Sequence, residues 1–237
     1  SNVTFISSLA DDVAIPSPND IRFSSNGLKM YLAPLGTNAL TEYTLSTAFD
    51  PTSQTSTEDF TLTNSSGTSG LAFNSDGTSM FVTDFGNQQI DEYTLNAGGF
   101  DLSAETAATY VRSLDISSTN AEPLSLIFSS DGKTMFVLDE ATEEVEEYFL
   151  TTGFDLTTAT LIETYQDTDL VRPKSIALNN TGTKLFIAQN GGHKVRSYTL
   201  GAANNLSTPV ISTFSPADNA TGIELDANIV LTFDEIV

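Results

Sequence analysis

One histidine and no cysteine leave this chain little catalytic equipment. His193, in Asn190-Gly-Gly-His-Lys-Val195, cannot by itself assemble the commoner hydrolytic triads or a zinc site. Disulfides, thiolate catalysis and Cys-based metal sites are excluded. His193 falls between two strands at a position that varies among the repeats described below, the setting of an exposed loop residue. Gly191-Gly192 reads as a turn, because no phosphate-loop pattern surrounds it. Carboxylates remain. Calcium needs several oxygen ligands in one loop. Asp139-Glu-Ala-Thr-Glu-Glu144 is the densest acidic loop and the best single calcium candidate, although a solvated acidic loop has the same composition. No Asp-x-Asp-x-Asp-Gly loop exists, and no catalytic, cofactor-binding or metal-binding residue is assigned.

Charge narrows the partners. Thirty-one acidic residues against 9 basic ones give a formal net charge of -22 in 237 residues. That excludes nucleic acid, whose phosphates need Lys and Arg, and disfavours anionic membrane surfaces. A hydrophobic content of 39% is too high for a disordered acidic chain. No transmembrane run or signal peptide is present, so no membrane insertion is expected.

The elements that would position any site repeat four times. The copies run Phe23 to Leu32, Phe73 to Val82, Phe128 to Val137 and Leu178 to Ile187, with turn glycines at Gly27, Gly77, Gly132 and Gly182. Each is followed by a Tyr-x-Leu block at Tyr43, Tyr93, Tyr148 or Tyr198, the same distance beyond its glycine. A period of about 50 residues holding several strands is the mark of propeller blades or a related β array. The alternating pairs Ile21 and Phe23, Leu71 and Phe73, Leu126 and Phe128, and Ile176 and Leu178 give a first strand. Asx-Gly gives a tight hairpin. The apolar runs at Met30, Met80, Met135 and Leu185 give a second strand buried on both faces. The three methionines share that register and read as core packing rather than a copper or partner site. The Tyr-x-Leu strand breaks strict alternation, which predicts a bulge. The polar strands at 58–62, 109–114 and 161–165 read as outer edges.

Residues 1–14 read as an outer strand of a preceding or closing blade, and Val3 to Leu9 resembles Thr109 to Leu114. The repeats are placed at 15–64, 65–120, 121–170 and 171–206. From Ser207 the pattern changes. Ser215-Pro216 and Asn219 to Gly222 are turn chemistry, and Ile229, Leu231 and Phe233 alternate. Because the chain starts and stops within strands, it reads as a mature or excised piece of something longer.

The segment Thr208 to Phe233 closely resembles the opening of bacterial Ig-like domains of cell-surface proteins, which places the start of such a domain at 207–237. The Ser-x-Asp-Gly-x-x-Met/Leu-Phe/Tyr-Val pattern is similar to YVTN-type repeats of surface-layer proteins and to lactonase-type and TolB-like propellers. Lactonase-like propellers hold a metal with Glu, Asn and Asp from inner-strand ends. Asp20 and Glu122 occupy roughly that region, while other blades carry Gly or Ser there.

The fold class expected is therefore all-β: a propeller-like array of four four-stranded blades plus an incomplete Ig-like β-sandwich segment. The function expected is a non-enzymatic extracellular structural or adhesive module of a cell-surface, filament or surface-layer protein. It carries no cofactor, calcium apart. Its partners are other copies or neighbouring domains, joined by strand addition through Thr208 to Val237. One alternative is a glycan- or peptide-binding propeller using loops such as Phe85-Gly-Asn-Gln-Gln89. The other is a metal-dependent propeller hydrolase or lactonase. Sequons at Asn2, Asn64, Asn179, Asn205 and Asn219 carry no weight in a chain this rich in Asn, Ser and Thr.

Overall fold

A glycine turn closes a tight hairpin between the first and second strands of each repeat. Gly27 has φ +71, donates its N–H to the Ser24 carbonyl at 2.9 Å, and follows Asn26, whose Oδ1 accepts the Leu28 N–H at 3.0 Å. The same turn recurs at Gly77 and Gly132, after Asp76 and Asp131, and Gly182 makes the same backbone bond after Thr181; their φ values are 73, 72 and 68. The computed structural model describes residues 17–95, 99–102, 108–201, 211–215 and 230–233.

Four antiparallel meanders result. The first is β1 (Pro18–Phe23), β2 (Lys29–Pro34), β3 (Ala39–Leu45) and β4 (Gln54–Thr61). The second is β5 (Thr68–Phe73), β6 (Ser79–Asp84), β7 (Gln89–Leu95) and β8 (Ala108–Asp115). The third is β9 (Pro123–Phe128), β10 (Thr134–Asp139), β11 (Glu144–Leu150) and β12 (Ala159–Gln166). The fourth is β13 (Pro173–Leu178), β14 (Lys184–Gln189) and β15 (Lys194–Thr199). The first strands pack next to one another, β1 on β5, β5 on β9 and β9 on β13, as the inner strands of successive propeller blades do.

The all-β propeller expectation holds, with one difference: the fourth sheet has three strands among the described residues, not four. The segment 1–14, read as a closing strand, lies outside the described residues. A separate two-stranded sheet pairs β16 (Ile211–Ser215) with β17 (Val230–Phe233), Phe214 opposite Leu231.

The second strands of the first three blades are largely buried on both faces, β10 along its whole length, whereas β14 in the fourth blade alternates between buried and more exposed residues. Met30, Met80 and Met135 are buried, which bears out the packing reading. Inter-blade cores form from Tyr31, Leu71 and Val82, then Phe81, Leu126 and Val137, then Phe136, Ile176 and Ile187. Each such side chain removed from water contributes about 1.5–3 kcal/mol. The expected bulge is present: register shifts at Glu92/Tyr93 and Glu147/Tyr148, between third and fourth strands. The fourth strands are largely exposed.

Phe-Asp recurs after the third strand of three blades, at 49–50, 100–101 and 154–155, and this has a structural cause. Phe49, Phe100 and Phe154 adopt φ of 59, 53 and 61, and each donates its N–H to the carbonyl of its turn glycine. Each ring then lies over that glycine. A Cβ on Gly27 would sit 2.5 Å from the Phe49 ring, and at Gly77 and Gly132 closer still. The following Asp50 or Asp155 accepts an N–H two residues on and caps a short 3-10 turn.

Candidate functional site

An inner strand has one edge bonded within its own blade and the other turned to the axis, so its free N–H and C=O groups need partners. In this chain β1 supplies them to its neighbours. Asn19 Nδ2 donates to the Ser69 carbonyl at 2.8 Å. Asp20 Oδ2 accepts the Leu71 N–H at 2.9 Å, and Arg22 Nε donates to the Leu71 carbonyl at 2.7 Å. Arg22 also reaches the Leu126 carbonyl, at 3.4 Å, and pairs with Asp20 Oδ1 at 2.9 Å. Both polar groups of Leu71 are thus held by one carboxylate–guanidinium pair. Burial pushes the Asp20 carboxyl above its ordinary value and outweighs the opposing pull of Arg22.

The pair breaks the repeat. At the register of Asp20 the other blades carry Gly70, Ser125 and Ser175, and at that of Arg22 they carry Ala72, Ile127 and Ala177. Gly70 is required there: a Cβ would lie 2.9 Å from Ser125 Cα and 3.0 Å from the Leu124 carbonyl oxygen. Arg22 was missed in reading the sequence. Aligning the four inner strands position by position is the signal that exposes it.

Arg22 also lines a cavity of about 390 Å³ on the hairpin side of the array. Its apolar lining includes Phe73, Phe100, Phe128 and Phe154, paired across 5.2 Å within each blade. Ser25, Ser75 and Ser130, equivalent residues of three repeats, also line it. An aromatic wall with a ring of hydroxyls and one guanidinium suits a small, hydroxylated molecule with an anionic or carbonyl oxygen. The Arg22 side chain is 27% exposed, Asp20 only 8%, so Arg22 is the group a ligand can meet and Asp20 holds it in place.

The residues singled out from sequence fall elsewhere. His193 is exposed in the β14–β15 loop, at the opposite end of its sheet from the hairpins. Asp139 is spent on backbone: it accepts the N–H groups of Ala121, Glu122 and Thr142 at 2.7, 2.7 and 2.8 Å. Asp84 does the same one blade earlier, for Ser66, Gly67, Gly86 and Asn87. Within the acidic loop Glu140 pairs with Lys174, and Glu143 accepts the Arg172 N–H. The proposed glycan loop folds its amides inward: Asn87 onto Asp84, Gln88 onto the Ala121 carbonyl, and Gln89 onto Asp91.

Asp20 and Glu122 do not make a metal site. Both Asp20 oxygens are engaged by protein donors, and Glu122 is exposed in the loop before β9. Among the described residues no three His, Cys, Asp or Glu converge on a metal position. The described residues of these four blades do not by themselves supply the donor set of the metal that lactonase-like propellers imply.

The fold is shared with solved propellers. A functionally unknown protein from Desulfotomaculum acetoxidans superposes with a TM-score of 0.55 at 20% identity, over 78% of this chain and 55% of its own. A candidate 6-phosphogluconolactonase from Bacteroides fragilis gives 0.58 at 14% identity, over 83% and 55%. The periplasmic gluconolactonase of Pseudomonas aeruginosa gives 0.55 at 15%, over 77% and 49%. At these identities the likeness is one of fold, and the chain spans about half the length of the structures it matches. No curated protein matches the sequence.

Residues 16–215 match the family described as lactonase, 7-bladed beta-propeller. This overturns the expectation of a non-enzymatic structural or adhesive module, because the family match points to a lactone hydrolase. That expectation rested on the uniformity of the repeats. Uniform residues make turns and core in every blade and say nothing of function, whereas the informative pair, Asp20 and Arg22, lies where the repeats differ. With four consecutive blades and a match over most of its length, the chain belongs to the lactonase family of seven-bladed β-propellers.

Proposed function

We propose that the chain is part of a lactone hydrolase whose substrate binds in the hairpin-side cavity with its carbonyl oxygen on Arg22. The observation that carries this is the Asp20–Arg22 pair: a buried carboxylate orienting a guanidinium that opens onto a cavity walled by phenylalanine. Hydrolysis adds water to the lactone carbonyl carbon and breaks the ring C–O bond, leaving a hydroxy acid. Negative charge develops on the carbonyl oxygen in the transition state, and a fixed donor in an apolar pocket stabilises that charge far better than water does. The same guanidinium then meets the product carboxylate. The phenylalanine faces support stacking of a ring, and Ser25, Ser75 and Ser130 support recognition of its hydroxyls, which favours a sugar-type lactone. The cavity lining described here holds no carboxylate or imidazole, so Arg22 binds and polarises rather than activating water.

The names of the Bacteroides and Pseudomonas relatives, both gluconolactonase types, support the substrate class. The Ig-like resemblance of Thr208 to Phe233 supports a location outside the cytoplasm. The test is hydrolysis of glucono-δ-lactone, followed by acid release, in wild type and Arg22→Gln. Loss of a single oxyanion donor costs about 10²–10³ in kcat. Activity in the variant equal to wild type, or none in wild type above the buffer rate across a panel of hydroxylated lactones, overturns the reading.

A further inference from the structure

We propose that β16 docks on the open edge of β15 as the fourth strand of the last blade, so that the propeller runs to Ser215 and shares this strand with the β16–β17 hairpin. In the first three blades the third strand is bonded on both sides. In the fourth, β15 is the edge of a three-stranded sheet among the described residues. Val195, near the start of β15, is 72% exposed, where its equivalents Leu40, Ile90 and Val145 are at most 2% exposed.

The occupant is named by spacing. The third and fourth blades are offset by 50 residues, from Gly132 to Gly182 and from Tyr148 to Tyr198. After Leu150 the third blade reads Asp155-Leu-Thr-Thr158, its aspartate capping the 3-10 turn Leu156–Thr158. After Leu200 the chain reads Asn205-Leu-Ser-Thr208, and Asn is as good a cap as Asp. The same offset carries β12, which begins at Ala159 and places Leu161 opposite Tyr148, onto β16 at Ile211. The family match also ends at residue 215, the last residue of β16, rather than at β15. A strand has two edges, and among the described residues β17 takes only one of those of β16, which leaves the other for β15.

The third-blade register sets the pairing: Val145 faces Tyr165 and Glu147 faces Glu163, so Val195 should face Ser215, and Ser197 should face Thr213. The chain has no cysteine of its own, so an engineered pair reports alone. Val195→Cys with Ser215→Cys, and separately Ser197→Cys with Thr213→Cys, are oxidised in the full-length chain and run on a non-reducing gel. Paired strand positions lie within the Cα separation a disulfide needs. The expected result is that at least one pair converts most of the protein to an oxidised monomer, reversed by dithiothreitol. A third pair, Val195→Cys with Leu9→Cys, tests the rival strand, since Leu9 matches Leu114, which faces Ile90. Closure of that pair in place of the first two, cross-linked dimers instead of monomers, or no cross-link from either β16 pair with folding intact by circular dichroism, each overturns the proposal.

Discussion

Glu147 should make this protein lose stability as the pH rises through neutrality. The carboxylates at its register in the first two blades have cationic partners: Glu42 takes Lys29 and the Leu102 N–H, and Glu92 takes Arg112. Glu147 instead faces Glu163 across the β11–β12 ladder. Burial first, and the Glu163 charge second, push its carboxyl up to about 7 from an ordinary value of 4.5. Between those two values the native state binds more protons than the unfolded chain, so wild-type stability falls as pH rises through that window. The full shift is worth about 3 kcal/mol above pH 7 at 1.36 kcal/mol per pKa unit, and for a part-buried side chain ~1–3 kcal/mol is the expected range. Glu147→Gln removes the charge and keeps the shape. It should therefore be more stable than wild type by that amount at pH 8 and no more stable at pH 4. Urea unfolding followed by circular dichroism at both pH values measures the difference. An equal difference at the two pH values, or a variant weaker at pH 8, would refute the reasoning.

Gly132→Ala should cost about 1–3 kcal/mol, read as a lower thermal midpoint, because φ of +72 disfavours any Cβ and the Phe154 ring occupies its place. Asp84→Ala strips a buried carboxylate from four backbone N–H groups of the crossover and the β6–β7 loop, and a loss of about 2–4 kcal/mol in urea unfolding is expected. Tyr31→Phe removes the hydroxyl that bonds the Phe100 carbonyl across the first two blades and should cost about 1 kcal/mol in the same assay.

The blades were legible because their signals are local. Positive φ at Gly27 and its equivalents, the doubly buried second strand at Met80 to Val82, and the bulge at the Glu-Tyr step each depend on neighbours a few residues away. Repetition then multiplied the signal by four. The role of Asp139 was not legible in the acidic loop: its composition is local, but the N–H groups that occupy Asp139 come from Ala121 and Glu122, on the far side of a strand and a hairpin.

By itself, the sequence determined the all-β class, the repeat length, the hairpin turns and the absence of cysteine. Only the tertiary structure decided which side chains meet. Arg22 touches carbonyls 49 and 104 residues further along the chain, and Asp20 holds the amide of Leu71. Those contacts exist because blade curvature turns the free edges of three inner strands toward one axis, and no run of neighbouring residues encodes that convergence.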